Sequence, residues 1–516
     1  MGGKGKGKGH NNASTERTYF YADVAAVRIQ DWLGRTPGLI FRRGASALLS
    51  KATDPEQWDG RLPPKVRWNP EAGQVDGVVS LAADEDIGEA DAPKVLEEAA
   101  RQVARRMREL MPHCSIQAVA GEGPSYAQAY AGMTARRQDG DYLLDWPSAP
   151  PEVILAKPCD ACLLAAATVL KVKVTRDDTF DLCGECDARL DAAGRTSATS
   201  ARLVPAPERR LRDALRDIGM PVRDFSDTFA ELAEAGRREE DHASPSQVAL
   251  IYADGNRVGA FLTKAASAKN GPPKSEIAPA IEQAAIGALA QAVKSRFPGR
   301  DEPPVLPHLA GGDDLLISVP AADAWPFTVT LLGEFDRLIR EKTDTWAKEL
   351  RASPPSLSAG LIFHHKTYPF SDVVRLAGEQ LLKAKGFTSG REASVAFLDV
   401  TADGGQPPDG RKPLTLTYLR DNADRLSRTK ALSASRRATL LDFARREDGK
   451  EDFIKRLTDL PKNDPLWEFA AGPKAVGPKA AEYLENVRKT LHDSDEKYAE
   501  LRRALDIARH WEGEGR

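Results

Sequence analysis

The feature that most constrains this chain is Gly311-Gly312-Asp313-Asp314, set between two short apolar runs at 304–310 and 315–319. Two glycines permit the positive φ of a tight hairpin and leave space for a bulky ligand against the backbone. Two adjacent carboxylates at such a tip repel one another unless a cation is bound. An acid pair alone reads as a solvated turn. The reading changes with Asp254, which follows the continuous apolar run 247–253 in the segment IYADGNRVG.

The surrounding pattern gives these acids a scaffold. A strand at 247–253 is followed by a long Ala-rich helix at 277–297, the two hairpin strands, and a helix at 321–339. A strand at 359–365, a helix at 371–385 and a strand at 394–400 complete the run. The order β-α-β-β-α-β with a tight central hairpin is the ferredoxin-like, palm-type layout, so the fold class is α+β. In such a sheet the end of the first strand lies beside the central hairpin, and Asp254, Asp313 and Asp314 are expected to converge. Hard oxygen ligands of this kind suit Mg²⁺ or Mn²⁺ bridging substrate phosphates. Two such ions roughly 3.5–4 Å apart activate a hydroxyl and stabilise a leaving pyrophosphate. Gly255, Asn256, Gly311 and Gly312 are expected beside the nucleotide. Lys366, after the strand GLIFHH, is either a triphosphate partner at the same edge or an exposed strand-end lysine. His364 and His365 point to opposite faces and have no ligand spacing.

A first run has the same grammar. A strand opens at Tyr19 in YFYADVAAV, with a helix at 39–51, a strand at 75–81, a helix at 93–111 and a strand at 115–120. Asp23 lies on its first strand, but Gln74-Val75-Asp76-Gly77 stands where the hairpin acids belong. It reads as a related half without the hairpin acids. Between the halves lie Cys159-x-x-Cys162 and Cys183-x-x-Cys186, with 20 residues between the pairs. Four thiolates at that spacing match a closed, tetrahedral structural Zn²⁺ site, with a redox pair or free buried cysteines as the alternative. Cys114 stands alone and is expected in the core. The expected divisions are a Gly/Lys tail at 1–17, a first palm at 18–150, a zinc-binding and helical module at 151–245, a catalytic palm at 246–405 and a helical domain at 406–516.

Composition narrows the classes. Lys and Arg number 73 against 76 Asp and Glu, a net charge of -3, which disfavours wholesale electrostatic binding of nucleic acid. Within 425–446, however, Arg425, Arg428, Lys430, Arg436, Arg437, Arg445 and Arg446 face only Asp442, either as a solvated helix face or as a contact for RNA or a partner protein. Five cysteines in 516 residues make no disulfide scaffold. No apolar stretch is long enough to span a bilayer, and the opening MGGKGKGKGHNN lacks a secretory core, so a cytoplasmic location without membrane contact is expected.

ADGN at 253–256, HLAGGDD at 308–314 and GLIFHHKTYPFSDVVRLAGEQLLKAK at 360–385 resemble the catalytic palm of the large polymerase-like subunit of type III CRISPR effectors. YADVAAVRIQDWLGRTPGLIFRRGASALLS at 21–50 resembles that family's first palm, and the cysteines between palms and the helical C-terminal part follow its domain order. The resemblance implies a subunit that joins ATP through 3′–5′ bonds into cyclic oligoadenylates when its complex senses target RNA. Its implied partners are ATP, guide-RNA effector subunits and target RNA. Two departures stand out. Asn256 replaces a second acid frequent in the family, and an HD nuclease domain is not expected, because His492-Asp493 with His510 supplies too few ligands. Two other readings fit the residues: a stand-alone palm cyclase, diguanylate-cyclase-like or another antiviral messenger synthase, and a non-catalytic RNA-complex scaffold.

Overall fold

The computed structural model describes residues 17–511 other than 37, 59, 74–76, 149–155, 175–178, 194–203, 227, 237–245, 269–270, 409, 424–425, 427–441, 443–448, 459–484, 486–488, 490–492, 494 and 509. The basic stretch 425–446 therefore lies outside the described residues apart from Leu426 and Asp442, and so do most of the tail and part of the Gln74–Gly77 turn.

The first half comprises β1 (Tyr19–Val27), α1 (Ile29–Gly34), α2 (Leu39–Thr53), β2 (Val66–Trp68), β3 (Val78–Ala83), α3 (Ala92–Leu110), β4 (Ser115–Gly123), α4 (Tyr126–Asp139) and β5 (Leu144–Trp146). Its strands form an antiparallel sheet in the order β2-β3-β1-β4-β5. Strand period two assigns the faces. Ala22, Val24, Leu81, Ile116 and Ala118 pack under Leu96, Ala99, Ala100, Val103 and Met107 of α3, which recur at helical spacing. Tyr21, Ala82 and Val119 face the other way, onto Tyr126, Ala129 and Met133 of α4.

The middle of the chain adds β6 (Val169–Lys173), β7 (Thr179–Leu182), α5 (Gly184–Ala192), α6 (Ala206–Asp217) and α7 (Phe229–Ala235). The β6–β7 hairpin and α5 enclose the cysteines. Helix α5 lies so close to α2 that a Cβ on Gly44 would strike the Arg189 carbonyl.

The second half runs β8 (Gln247–Asn256), α8 (Val258–Ser267), α9 (Lys274–Arg296), β9 (Leu306–Gly311), β10 (Asp314–Pro320), α10 (Ala324–Glu349), β11 (Ser356–His365), α11 (Phe370–Thr388) and β12 (Ser394–Asp399), and then α12 (Val400–Asp403), β13 (Leu414–Thr415) and α13 (Leu416–Asp421). The sheet order is β13-β12-β11-β8-β10-β9. Four consecutive strands, β11-β8-β10-β9, repeat the order β4-β1-β3-β2 of the first half, so both halves carry the ferredoxin-like arrangement expected from the sequence. Ala249, Ile251 and Ala253 of β8 face α9 and α10, whereas Leu250 and Tyr252 face α11. Helix α11 closes on the sheet where Gly360 has no side chain to meet the Ala377 carbonyl.

Beyond β13, described residues of the C-terminal part share this core. Phe453, Ala504, Leu505, Ile507 and Trp511 are buried in it. Arg411 joins Asp403 to Asp506 of the helix Asp495–Ala508, and His510 Nε2 lies 2.8 Å from Asp399 Oδ2. Among the described residues no helix is long and apolar enough to cross a membrane.

Candidate active site and metal centre

The central hairpin of the second half presents the acids. Asp314 pairs with Gly311 across β9 and β10, and Gly312 makes the turn with φ of +61°, a left-handed conformation that favours glycine. Strand β10 runs antiparallel to β8 with Leu315 opposite Ala253, which brings the hairpin tip beside Asp254. The Asp313 side chain lies directly over the Cα of Gly255. A Cβ there would meet Asp313 Oδ2, stand 2.9 Å from Asp313 Cβ and 2.6 Å from Val258 Cγ2. Asp254, Gly255, Gly311, Gly312, Asp313 and Asp314 therefore come together.

The electrostatics follow from this crowding. Burial, then the neighbouring Asp254 charge, pushes the Asp313 carboxyl up to about 6. Burial, then the charges of Asp254 and Asp313, pushes Asp314 up to about 7. Burial and the three acids also raise the phenol of Tyr252, which lies two residues before Asp254 on the same face of β8. Two acids whose ionisation is resisted, beside the Asp254 carboxylate, are a donor set suited to a divalent cation.

One cation of the chain already answers them. Lys385, near the end of α11, donates from Nζ to Asp254 Oδ2 and, at 2.9 Å, to the Gly255 carbonyl. Sequence reasoning placed the lysine of the site at Lys366 instead, and the structure corrects this. Strand β11 runs antiparallel to β8, with Ser358 opposite Asp254 and His365 opposite Gln247. The Lys366 backbone N–H donates to the Ser246 carbonyl at the far end of the sheet. Eight residues of extended chain separate Lys366 from Ser358, a span of about 26 Å. The signal that finds Lys385 is chain direction: a strand that leaves the site is followed by a helix that returns to it.

Asn256 is likewise corrected. It is 2% exposed, and its Nδ2 donates to Ser356 Oγ and Ser358 Oγ, each at 2.9 Å, so its side chain braces β11 and is not presented to a nucleotide. In the first half, Asp23 is also committed internally. Ser80 Oγ donates to it at 2.6 Å, Tyr126 Oη at 2.9 Å and Arg137 at 3.2 Å. Lys274 of α9 crosses from the second half onto this cluster, its Nζ 3.7 Å from the Tyr130 ring centroid.

The second constellation is the cysteine set. Sulfurs of Cys159, Cys162, Cys183 and Cys186 all lie within 4.8 Å of one another, the group of metal-ligand type found among the described residues. Cys162 and Cys183 sulfurs are 3.9 Å apart. Tetrahedral Zn–S bonds of about 2.3 Å require sulfur separations of about 3.8 Å, so the four thiols fit one such ion. The Cys183 sulfur also accepts from the Cys186 N–H at 3.5 Å, capping α5 and fixing the second pair on its first turn. Cys114 is buried in the core of the first half, as expected.

The family model described as Cas10/Cmr2, second palm domain, matches residues 247–394, the segment that holds all three acids and Lys385. No curated protein matches the chain. Among solved structures, the Csm1-Csm4 cassette in complex with cA4 is similar at 16% identity and a TM-score of 0.50, over 92% of this chain and 70% of that one. The apo Csm1-Csm4 cassette is similar at 16% identity and a TM-score of 0.49, over 93% of this chain and 69% of that one. At such identity the first likeness speaks to fold alone. With the palm topology and the Gly-Gly-Asp-Asp hairpin inside the matched segment, residues 247–394 are a palm domain of the kind described for Cas10/Cmr2.

Proposed function

We propose that this protein is a cyclic oligoadenylate synthase, a nucleotidyltransferase acting as the signalling subunit of a type III CRISPR antiviral complex in the cytoplasm. The observation that carries the reading is the grouping of three acids at one hairpin: Asp313 lies over Gly255, the charges of Asp254 and Asp313 act on Asp314, and Lys385 bonds Asp254. Keeping three acids together costs free energy unless a cationic ligand uses them. The Cas10/Cmr2 match and the fold shared with a Csm1-Csm4 cassette in complex with cA4 support the chemistry and the setting.

Asp254, Asp313 and Asp314 would hold Mg²⁺ or Mn²⁺. The ion, when bound, supplies charge neutralisation of the polyphosphate and acidification of the attacking hydroxyl. The chain itself supplies position. Gly255 leaves room for the Asp313 side chain, the open Gly312 turn keeps side chains away from the place where the donor ATP lies, and Lys385 offers an ammonium to its phosphates as they arrive. The 3′-hydroxyl of a second ATP attacks the donor α-phosphorus in line, a 3′–5′ bond forms and pyrophosphate leaves. Repetition, then attack of the terminal 3′-hydroxyl on the 5′-end α-phosphorus, closes the ring. Catalysis is mainly positioning and electrostatics. The first palm forms the other side of the acceptor cleft, but its Asp23 is held by Ser80, Tyr126 and Arg137. The four cysteines hold a structural Zn²⁺. Effector subunits carrying guide RNA, and target RNA, are the partners.

The test is a product assay on the reconstituted complex with Mg²⁺ and target RNA, offering each of the four nucleoside triphosphates alone. Oligoadenylate from ATP is expected. Absence of any product, or preference for another base, overturns the reading.

A further inference from the structure

Arg42 on α2 is 3% exposed, and among the described residues none of Nε, Nη1 and Nη2 has a hydrogen-bond partner. Its guanidinium lies 4.3 Å from the ring centroid of Phe370, the first residue of α11. A ring face offsets part of a buried charge and satisfies none of five N–H donors. The cations around it are each paired elsewhere. Arg43 binds Glu208 at 2.7 Å, and Arg189 binds Glu185 at 2.5 Å and the Trp32 carbonyl at 2.9 Å. Burial, then the neighbouring Arg189 charge, pushes the Arg42 pKa down to about 9, which leaves it charged at neutral pH. A buried charge without a counter-charge is destabilising, and pairing it relieves that penalty.

Beside Arg42 is a small cavity walled by Arg42, Arg43, Ser46 and His308, with Leu33, Pro205 and Pro307 as its apolar sides. The His308 ring is held neutral by burial and by the charges of Arg42 and Arg43, and its Nε2 is engaged with Ser318 Oγ at 2.9 Å. Among the described residues no carboxylate lines this space. We propose that the cavity is a monovalent, halide-sized anion site, occupied by chloride held by the Arg42 guanidinium and the Ser46 hydroxyl. The ion sits where α2 of the first half meets β9 and the start of α11 in the second, so it fastens the two halves together.

The test compares thermal unfolding of the full chain in sodium chloride and in sodium gluconate at equal ionic strength, since gluconate is too large to enter. The midpoint of the wild type is expected to rise by several degrees and to saturate with chloride, as ligand linkage requires. Arg42→Met, which replaces the charge with an apolar chain of similar length, is expected to lose that dependence, and Ser46→Ala to weaken it. Diffraction from crystals in sodium bromide is expected to place an anomalous scatterer against the guanidinium. Equal chloride dependence in wild type and Arg42→Met overturns the proposal, as does a crystal without the scatterer. A scatterer without any chloride-dependent shift means binding at crystal concentration only and also overturns it. If Arg42→Met does not fold, the Ser46→Ala melt and the bromide crystal decide.

Discussion

Gly255 does its work by lacking a side chain. Its Cα is the floor under Asp313, and a methyl group there would push that carboxylate off the site or displace Val258. Gly255→Ala is therefore expected to fold and yet to lose turnover on the order of 100-fold, the scale of losing one aligned charge partner. A calorimetric Mn²⁺ titration should show weakened binding, and unchanged binding would contradict the packing argument. The acids themselves make a pH-dependent contribution. Asp313 and Asp314 are raised from 3.8 to about 6 and about 7, so in this window the folded state holds protons that the unfolded state has shed. Their contribution is fully present below about pH 4 and is lost as pH rises through 6 to 7. Without added divalent cation, the wild-type unfolding midpoint should fall between pH 5 and pH 8 more than that of Asp313→Asn/Asp314→Asn, and at pH 8 the double variant should be the more stable. Parallel pH profiles would sink this account.

At the scale of elements, chain direction decides which lysine serves the site. The hairpin was legible because Gly311-Gly312 between two short apolar runs admits little else, and β8 because an unbroken apolar run ends in Asp254. Lys366 was misplaced because a strand's end was read without its direction relative to β8. Lys385→Met is expected to reduce turnover on the order of 100-fold, with Lys366→Met close to wild type in the same assay; the reverse order would reject the site as described. Other elements left weak traces. Helix α4 buries only Tyr126, Ala129 and Met133 among alanines and polar residues, so its apolar stripe is faint. Most of β6 is exposed or half-buried, so strand alternation is blurred there. The cysteine module was legible from spacing alone, but its attachment was not. Arg189 of α5 is fully buried and donates to the Trp32 carbonyl, and Gly44 admits α5 against α2. Cys159→Ser should therefore lower the unfolding midpoint of the first half as well as loosening the module. Elemental analysis of the wild type should give one zinc per chain, and no zinc, or iron in its place, would reject the assignment.

The two halves share one strand order, and only the second carries a Gly-Gly-Asp-Asp hairpin. The first copy turns Asp23 inward onto Ser80 and Tyr126, while Lys274 from the second copy lies against its tyrosines. A pure scaffold has no need of three acids held against one another, which favours an enzyme over that alternative. The measurement that tests this most directly compares wild type with Asp313→Asn/Asp314→Asn in the reconstituted effector complex, given ATP, Mg²⁺ and target RNA, with products resolved by mass spectrometry and assembly followed by gel filtration. The account predicts cyclic oligoadenylate and pyrophosphate from the wild type, and a double variant that assembles equally but makes neither. Equal product from both, or none from the wild type, would contradict it.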